Sequence, residues 1–327
     1  MLGFYPDGMK NTTDIAPPFN SWITTGGVNV RKITGGQIVI ECAPNEIAAV
    51  FLRDVERLLN HCLEHALEIH RFTIDDRMRS DAWNVVTIYY QCFFTAQALL
   101  RLIGEPVLFL SKDIITAFKT ASGSTASVGP GVYEFRQTGS PTITTSEYTL
   151  DKKARRPHEA TWKRVFHLFD NLVKDRALAT DAAEVAIFAC LATQRLFKVY
   201  ADYDWPSAVR HSANYTPGFA YLLVEKLNRT KTKGLFNRWK GLEEHNIESF
   251  LRYSIDHCIC SNAPESFETH VQLLYDIGQM LFVLTRRLYN DLIVRRACDK
   301  RWSLRRNSLI ERAGISVADY PLLFKSS

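Results

Sequence analysis

A chain of 327 residues with 46% hydrophobic, 12% aromatic and 23% charged residues is long enough to bury one large core or two modest ones. With 12 Pro and 16 Gly, its composition excludes a wholly disordered, collagenous or low-complexity protein. Forty Lys and Arg against 35 Asp and Glu leave a net charge of +5, which permits a nucleic-acid partner without demanding one.

Met1 to Lys10 lacks a charged-then-apolar secretory pattern, and no apolar run reaches the roughly 18 residues a membrane helix needs. The first regular signals are Val28–Val30 and Gln37–Cys42, whose alternation on either side of Gly35 and Gly36 predicts a hairpin within an N-terminal β arm, residues 1–44. From Asn45 the period changes. Ile47, Val50, Phe51, Val55, Leu58, Leu59, Cys62, Leu63, Ala66 and Leu67 recur at helical spacing. A second, strongly apolar helix covers 81–103 and stops at Gly104 and Pro106, so residues 45–122 form the first part of a helical core. Residues 123–157, rich in Ser, Thr and Gly, read as an inserted β-hairpin or loop. Helices resume over 158–174, 179–203, 217–230, 243–260 and 266–298. Residues 158–285 are thus the second part of the core, and 286–327 a basic C-terminal helix and tail. The fold class expected is mainly α, a helical bundle with a small N-terminal β arm and an inserted β-hairpin or loop.

The seven cysteines, Cys42, Cys62, Cys92, Cys190, Cys258, Cys260 and Cys298, are odd in number and scattered. They read as core thiols of a reducing, cytoplasmic compartment rather than a disulfide framework or a zinc cage. His61 and His65 lie four apart with Glu64 and Glu68 beside them, but the sequence places no third ligand, and a solvated helix face explains them. No phosphate-binding loop, dinucleotide fingerprint or nucleophile elbow is present, and no cofactor or metal is expected.

Tyr89 to Gly104, with its Tyr-Tyr pair, Ala96, Ala98, Leu99 and Leu100, resembles the first core helix of the HEPN superfamily. Physically the same residues make a buried helix in which small alanines admit a neighbour. Val209–Gly218 is similar to the segment of that superfamily that carries an Arg, a polar residue, three more residues and a closing His or Tyr. The resemblance implies that Arg210 neutralises a scissile phosphate, with His211 at the polar position and Tyr215 where active members usually have His. A phenol with a pKa near about 10 is a poor base at neutral pH. A second segment, Phe250–His257, gives the full Arg-x4-His spacing with Arg252 and His257 but lacks the polar neighbour. On an ideal helix those two residues are about 140° apart, whereas Arg252 and Asp256 share a face.

The stretch from Arg286 to Arg312 holds nine basic residues against three acidic ones. Arg295, Arg296, Arg301, Arg305 and Arg306, with Trp302 among them, predict a positive ridge for a nucleic-acid backbone. A solvated face or a protein contact is the plainer alternative. Two function classes follow. One is a HEPN-like nucleic-acid-binding or scaffold subunit of a prokaryotic defence or toxin–antitoxin type system, without efficient catalysis. The other is a metal-independent endoribonuclease using Arg252 with His257, or Arg210 with His211 and Tyr215. The partners implied are RNA or DNA backbone and a second copy or a larger complex, with no membrane.

Overall fold

Strand alternation extends well beyond an N-terminal arm. The computed structural model describes residues 16–74, 81–139, 145–153, 156–174, 203–215, 239–242, 267–295, 301–312 and 314–315. Among them are α1 (Phe19–Thr24), β1 (Asn29–Thr34), β2 (Gln37–Cys42), α2 (Pro44–Ile74), α3 (Asp81–Leu102), β3 (Val107–Leu110), α4 (Lys112–Ser122), β4 (Gly131–Gln137), β5 (Ser146–Lys153), α5 (Pro157–Lys174), α6 (Trp205–Tyr215), α7 (Phe267–Val294) and α8 (Arg301–Arg312). The five strands form one antiparallel sheet in the order β1-β2-β5-β4-β3. The chain is therefore an α+β protein, and the expected mainly α bundle is corrected. The segment expected as an insertion supplies β4 and β5 to the interior of the sheet, where β5 pairs with β2 from Gln37↔Asp151 to Cys42↔Ser146.

The chain divides into two compact units. One comprises Met1–Leu59, Gln97–Thr161 and Thr285–Trp302, and the other Asn60–Ala96, Trp162–Leu284 and Ser303–Ser327. In the first, β2 alternates half-buried and buried residues, so Ile38, Ile40 and Cys42 point into the core. Leu108 and Leu110 of β3, Tyr133 and Phe135 of β4, and Tyr148 and Leu150 of β5 join them, together with α1, α4 and Phe51 of α2. Phe51 meets Phe135 edge-on at 5.0 Å, and Phe135 stacks on Tyr148 at 5.1 Å. Each such fully buried side chain contributes about 1.5–3 kcal/mol, which is why the strands coalesce on one core.

Helix α4 is bracketed locally. Ser111 accepts from the Ile114 amide at its start, and Gly123 adopts φ 62° at its end, with Ser124 N–H returning to the Lys119 carbonyl. On the opposite side of the sheet the charges are paired: Arg31 with Glu41, and Glu134 with Arg136 and Lys153. Burial alone would raise the Glu134 carboxyl, but the hydrogen bond from Arg136 and the charges of Lys153 and Arg136 outweigh it and hold the group below its ordinary range.

The second unit is helical among its described residues, and α3 approaches α7 closely. The Cys92 thiol donates to the Leu274 carbonyl at 3.2 Å, and a Cβ at Gly278 would overlap that thiol. Gln279 donates to Gln91 at 3.2 Å, Cys62 and Thr95 share a hydrogen bond of 3.2 Å, and the Trp239 indole donates to buried Asp276 at 3.0 Å. Cys42, Cys62 and Cys92 are free and buried, and burial pushes the thiols of Cys42 and Cys62 up to about 12. The expected buried helix from Tyr89 is present: Tyr89, Cys92, Ala96, Ala98 and Leu100 are all fully buried. The expected helices over 179–203, 217–230 and 243–260 lie outside the described residues, apart from Tyr203 in a turn. Among the described residues no helix is long and apolar enough to cross a membrane.

Candidate nucleic-acid interface

Helix α6 opens with Trp205 and Pro206, a proline in the first turn where no intrahelical N–H is lost. Ser207 and Arg210, three residues apart, then fall on one face, and both reach α3. The Arg210 guanidinium lies 5.4 Å over the Tyr89 ring, and its Nη1 donates to the Tyr90 hydroxyl at 3.3 Å. The Tyr89 hydroxyl accepts from the Trp162 indole at 3.3 Å and shares a hydrogen bond of 3.3 Å with Ser207. Burial pushes the Tyr89 phenol well above its ordinary range, against the opposing pull of Ser207, Trp162 and Arg210.

Arg210 is half-buried, and among the described residues no carboxylate pairs with it. Its Nε is buried with no hydrogen-bond acceptor among the described residues. An orphaned donor of this kind costs about 1–3 kcal/mol, which the ring contact offsets by about 0.5–2 kcal/mol. What the fold holds here is a positive charge that aromatic groups position and that no carboxylate among the described residues pairs with.

His211 and Tyr215 occupy a different face. They are four apart, their rings lie 5.0 Å from each other, and both are exposed, Tyr215 at 65%. Successive residues of a helix are about 100° apart, so Arg210 turns to α3 while His211 and Tyr215 turn away from it. The structure places all three on one helix and separates the arginine from the other two. Arg252, His257 and Arg296 lie outside the described residues.

On the other flank of Tyr90, the aromatic contacts continue into α2. Phe94 lies 5.1 Å from His61 and 5.6 Å from His65, and His65 stacks on Tyr90 at 6.1 Å. Burial, with a smaller push from His61, holds the His65 imidazole below its ordinary value despite the nearby Glu64 and Glu68. His61 contacts Glu64 at 3.2 Å, and among the described residues no cluster of three or more His, Cys, Asp or Glu side chains is arranged for a metal ion.

The C-terminal ridge divides into unlike parts. Arg295 pairs with Asp291 at 3.3 Å, one turn away, and Arg306 is half-buried. Burial lowers Arg286 to about 10. Arg301 and Trp302 open α8, with side chains outside the described residues. Arg305 and Arg312, seven apart and so on one face, are exposed without a carboxylate partner among the described residues, between exposed Leu304 and Leu309.

The sequence marks Arg210 but not its setting, in which Tyr89 and Tyr90 touch the guanidinium while Trp162 and Ser207 hold the Tyr89 hydroxyl. The one signal available was the spacing of Ser207 and Arg210, which marks a polar stripe on an otherwise apolar helix face. No family model, no curated protein and no solved structure matches the chain.

Proposed function

We propose that the chain binds the phosphate backbone of nucleic acid, RNA foremost, as a homodimer or a subunit of a prokaryotic defence or toxin–antitoxin type assembly, without efficient catalysis of its own. The observation that carries this reading is Arg210, a half-buried guanidinium seated on Tyr89 and Tyr90 with no carboxylate partner among the described residues. A planar fork of donors with its charge intact is what phosphate oxygens pair with, end-on through the terminal nitrogens. The HEPN resemblance is consistent with it, because the Tyr89–Gly104 and Val209–Gly218 segments that carry it touch at Tyr90 and Arg210. Arg305 and Arg312 add two exposed cations for further backbone contacts.

The endoribonuclease reading is favoured by a separate observation, the exposed His211 next to Arg210 in sequence and against Tyr215 in space. One experiment weighs the two. Purified protein is incubated with labelled RNA and a chelator, and both retention and cleavage ends are measured. Intact RNA, with binding weakened about tenfold or more by Arg210→Ala, is the expected result. Products ending in 2′,3′-cyclic phosphate that disappear in His211→Ala or His257→Ala establish the nuclease instead. Binding unchanged in Arg210→Ala overturns the role given to the arginine.

A further inference from the structure

Tyr89 touches Arg210 through its ring and bonds Trp162 and Ser207 through its hydroxyl. The ring lies under the guanidinium at 5.4 Å, while the hydroxyl is fixed by Trp162 and Ser207, each at 3.3 Å. Trp162 and Tyr89 are both fully buried, so the ring has no room to turn. We infer that Tyr89 is a positioning residue for the phosphate-binding arginine: its clamped ring holds the Arg210 guanidinium at one angle and leaves its charge for an incoming oxyanion. The inference rests on the reading of Arg210 as the phosphate contact.

The chemistry separates this seat from an ordinary ion pair. A carboxylate in the place of Tyr89 would bind the same guanidinium more strongly but would neutralise it and occupy its donors. A ring face attracts the cation through its quadrupole and takes none of the in-plane N–H groups. Tyr90 adds a single bond to Nη1, which fixes rotation of the plane, and Nη2 has no acceptor among the described residues. The side chain is thereby ordered before any ligand arrives, so less freedom is lost on binding.

The test measures binding of a fluorescein-labelled oligouridylate to the full chain across a salt series. Arg210→Ala sets the reference, weakening binding about tenfold and flattening the slope of log affinity against log salt by about 0.7, one single-strand phosphate contact. Tyr89→Leu is expected to reproduce both changes, and the Tyr89→Leu, Arg210→Ala double variant to be no weaker than either alone. Tyr89→Phe, which keeps the ring, is expected to keep the slope. Replacing Tyr89 by phenylalanines of increasing fluorination, which drains the ring face while conserving its size, should weaken binding step by step.

A full salt slope in Tyr89→Leu, or additive losses in the double variant, overturns the positioning role while leaving Arg210 as the contact. An unchanged slope in Arg210→Ala removes the reading of Arg210 and this inference with it. If Tyr89→Leu does not fold, the fluorinated series decides, and a flat series overturns the inference.

Discussion

Two arginines withdrawn from solvent, Arg101 at the end of α3 and Arg210 on α6, are held by opposite means. Arg101, with 11% of its side chain exposed, donates to the Gln97 carbonyl and amide oxygen at 3.1 and 2.6 Å, and its Nε lies 3.5 Å from buried Asp54. Gln97 in turn donates to Thr161 at 2.6 Å, so a chain of hydrogen bonds ties α3 to the start of α5 within the sheet-containing unit. Among the described residues Arg210 pairs with no carboxylate; its guanidinium lies over the Tyr89 ring and donates to the Tyr90 hydroxyl. A charge neutralised inside the fold contributes to the integrity of the fold; one left unneutralised is available to a partner. The same residue type therefore carries structure in one unit and, on our reading, binding in the other.

The comparison is broken most directly by removing each arginine's support. Asp54→Ala removes the buried carboxylate that faces Arg101 and should cost up to about 3–5 kcal/mol in urea denaturation, with nucleic-acid affinity of the folded protein unchanged. Arg210→Ala should do the reverse. It gives up a cation–π contact worth about 0.5–2 kcal/mol and relieves an unsatisfied donor of similar magnitude, so the urea midpoint should scarcely move while RNA affinity falls. A large stability loss in Arg210→Ala would make it a second Arg101.

Part of this contrast was legible in the sequence. The alternation of Gln37–Cys42 and the helical spacing from Asn45 are local, and β2 and α2 follow them. What joins the strands into one sheet is not local: Gln37 pairs with Asp151 across 114 residues, and no period in either segment announces the other. β3, with four apolar residues, is too short for periodicity to separate a strand from a buried helix turn. Helix α4 was readable, since Ser111 and Gly123 bracket it as cap residues do. For the site, Arg210 was found through its neighbours in sequence, whereas its seat comes from Tyr89, Tyr90 and Trp162, more than forty residues away in each case. Whether an arginine is paired depends on which side chains surround it in space, and Asp54 gives no sequence hint that it serves Arg101.

A smaller effect sharpens the same contrast on the surface. Arg295 is paired with Asp291, while Arg305 and Arg312 are exposed without a carboxylate partner among the described residues. Charge reversal to Glu at 305 and 312 should flatten the salt dependence of RNA binding by about 0.7 per contact, and by a similar factor for unrelated sequences, because backbone contacts carry no sequence information. Reversal at Arg295 should do less, since its charge is already opposed by Asp291. Equal effects at all three positions would show a diffuse field rather than contacts, and no effect at any would leave α8 as a protein-facing helix whose Leu304 and Leu309 make the contact.

The smallest expected effect lies on the far side of Tyr90, where His65 stacks between α2 and α3. Its imidazole is held below the ordinary value of 6.5, chiefly by burial and then by His61, with Glu64 and Glu68 pulling weakly the other way. The unfolded chain therefore takes up a proton first as the pH falls through about 6.5, and the folded protein takes it up only further down. Stability from this group is complete above that pH, declines as the solution is acidified towards the folded pKa, and levels off below it. His70, also lowered by burial, acts in the same direction. Urea midpoints measured between pH 8 and pH 5 should fall on the acid side, and His65→Phe, which keeps the stack on Tyr90 and Phe94 without a titrating group, should flatten part of that fall. Because Tyr90 is also the hydroxyl that Arg210 bonds, a charged His65 disturbs the ring from the opposite side. RNA affinity measured at constant salt should then weaken over the same pH range in the wild type and not in His65→Phe. An identical pH profile in the two proteins would confine the effect to other groups and leave the two flanks of Tyr90 uncoupled.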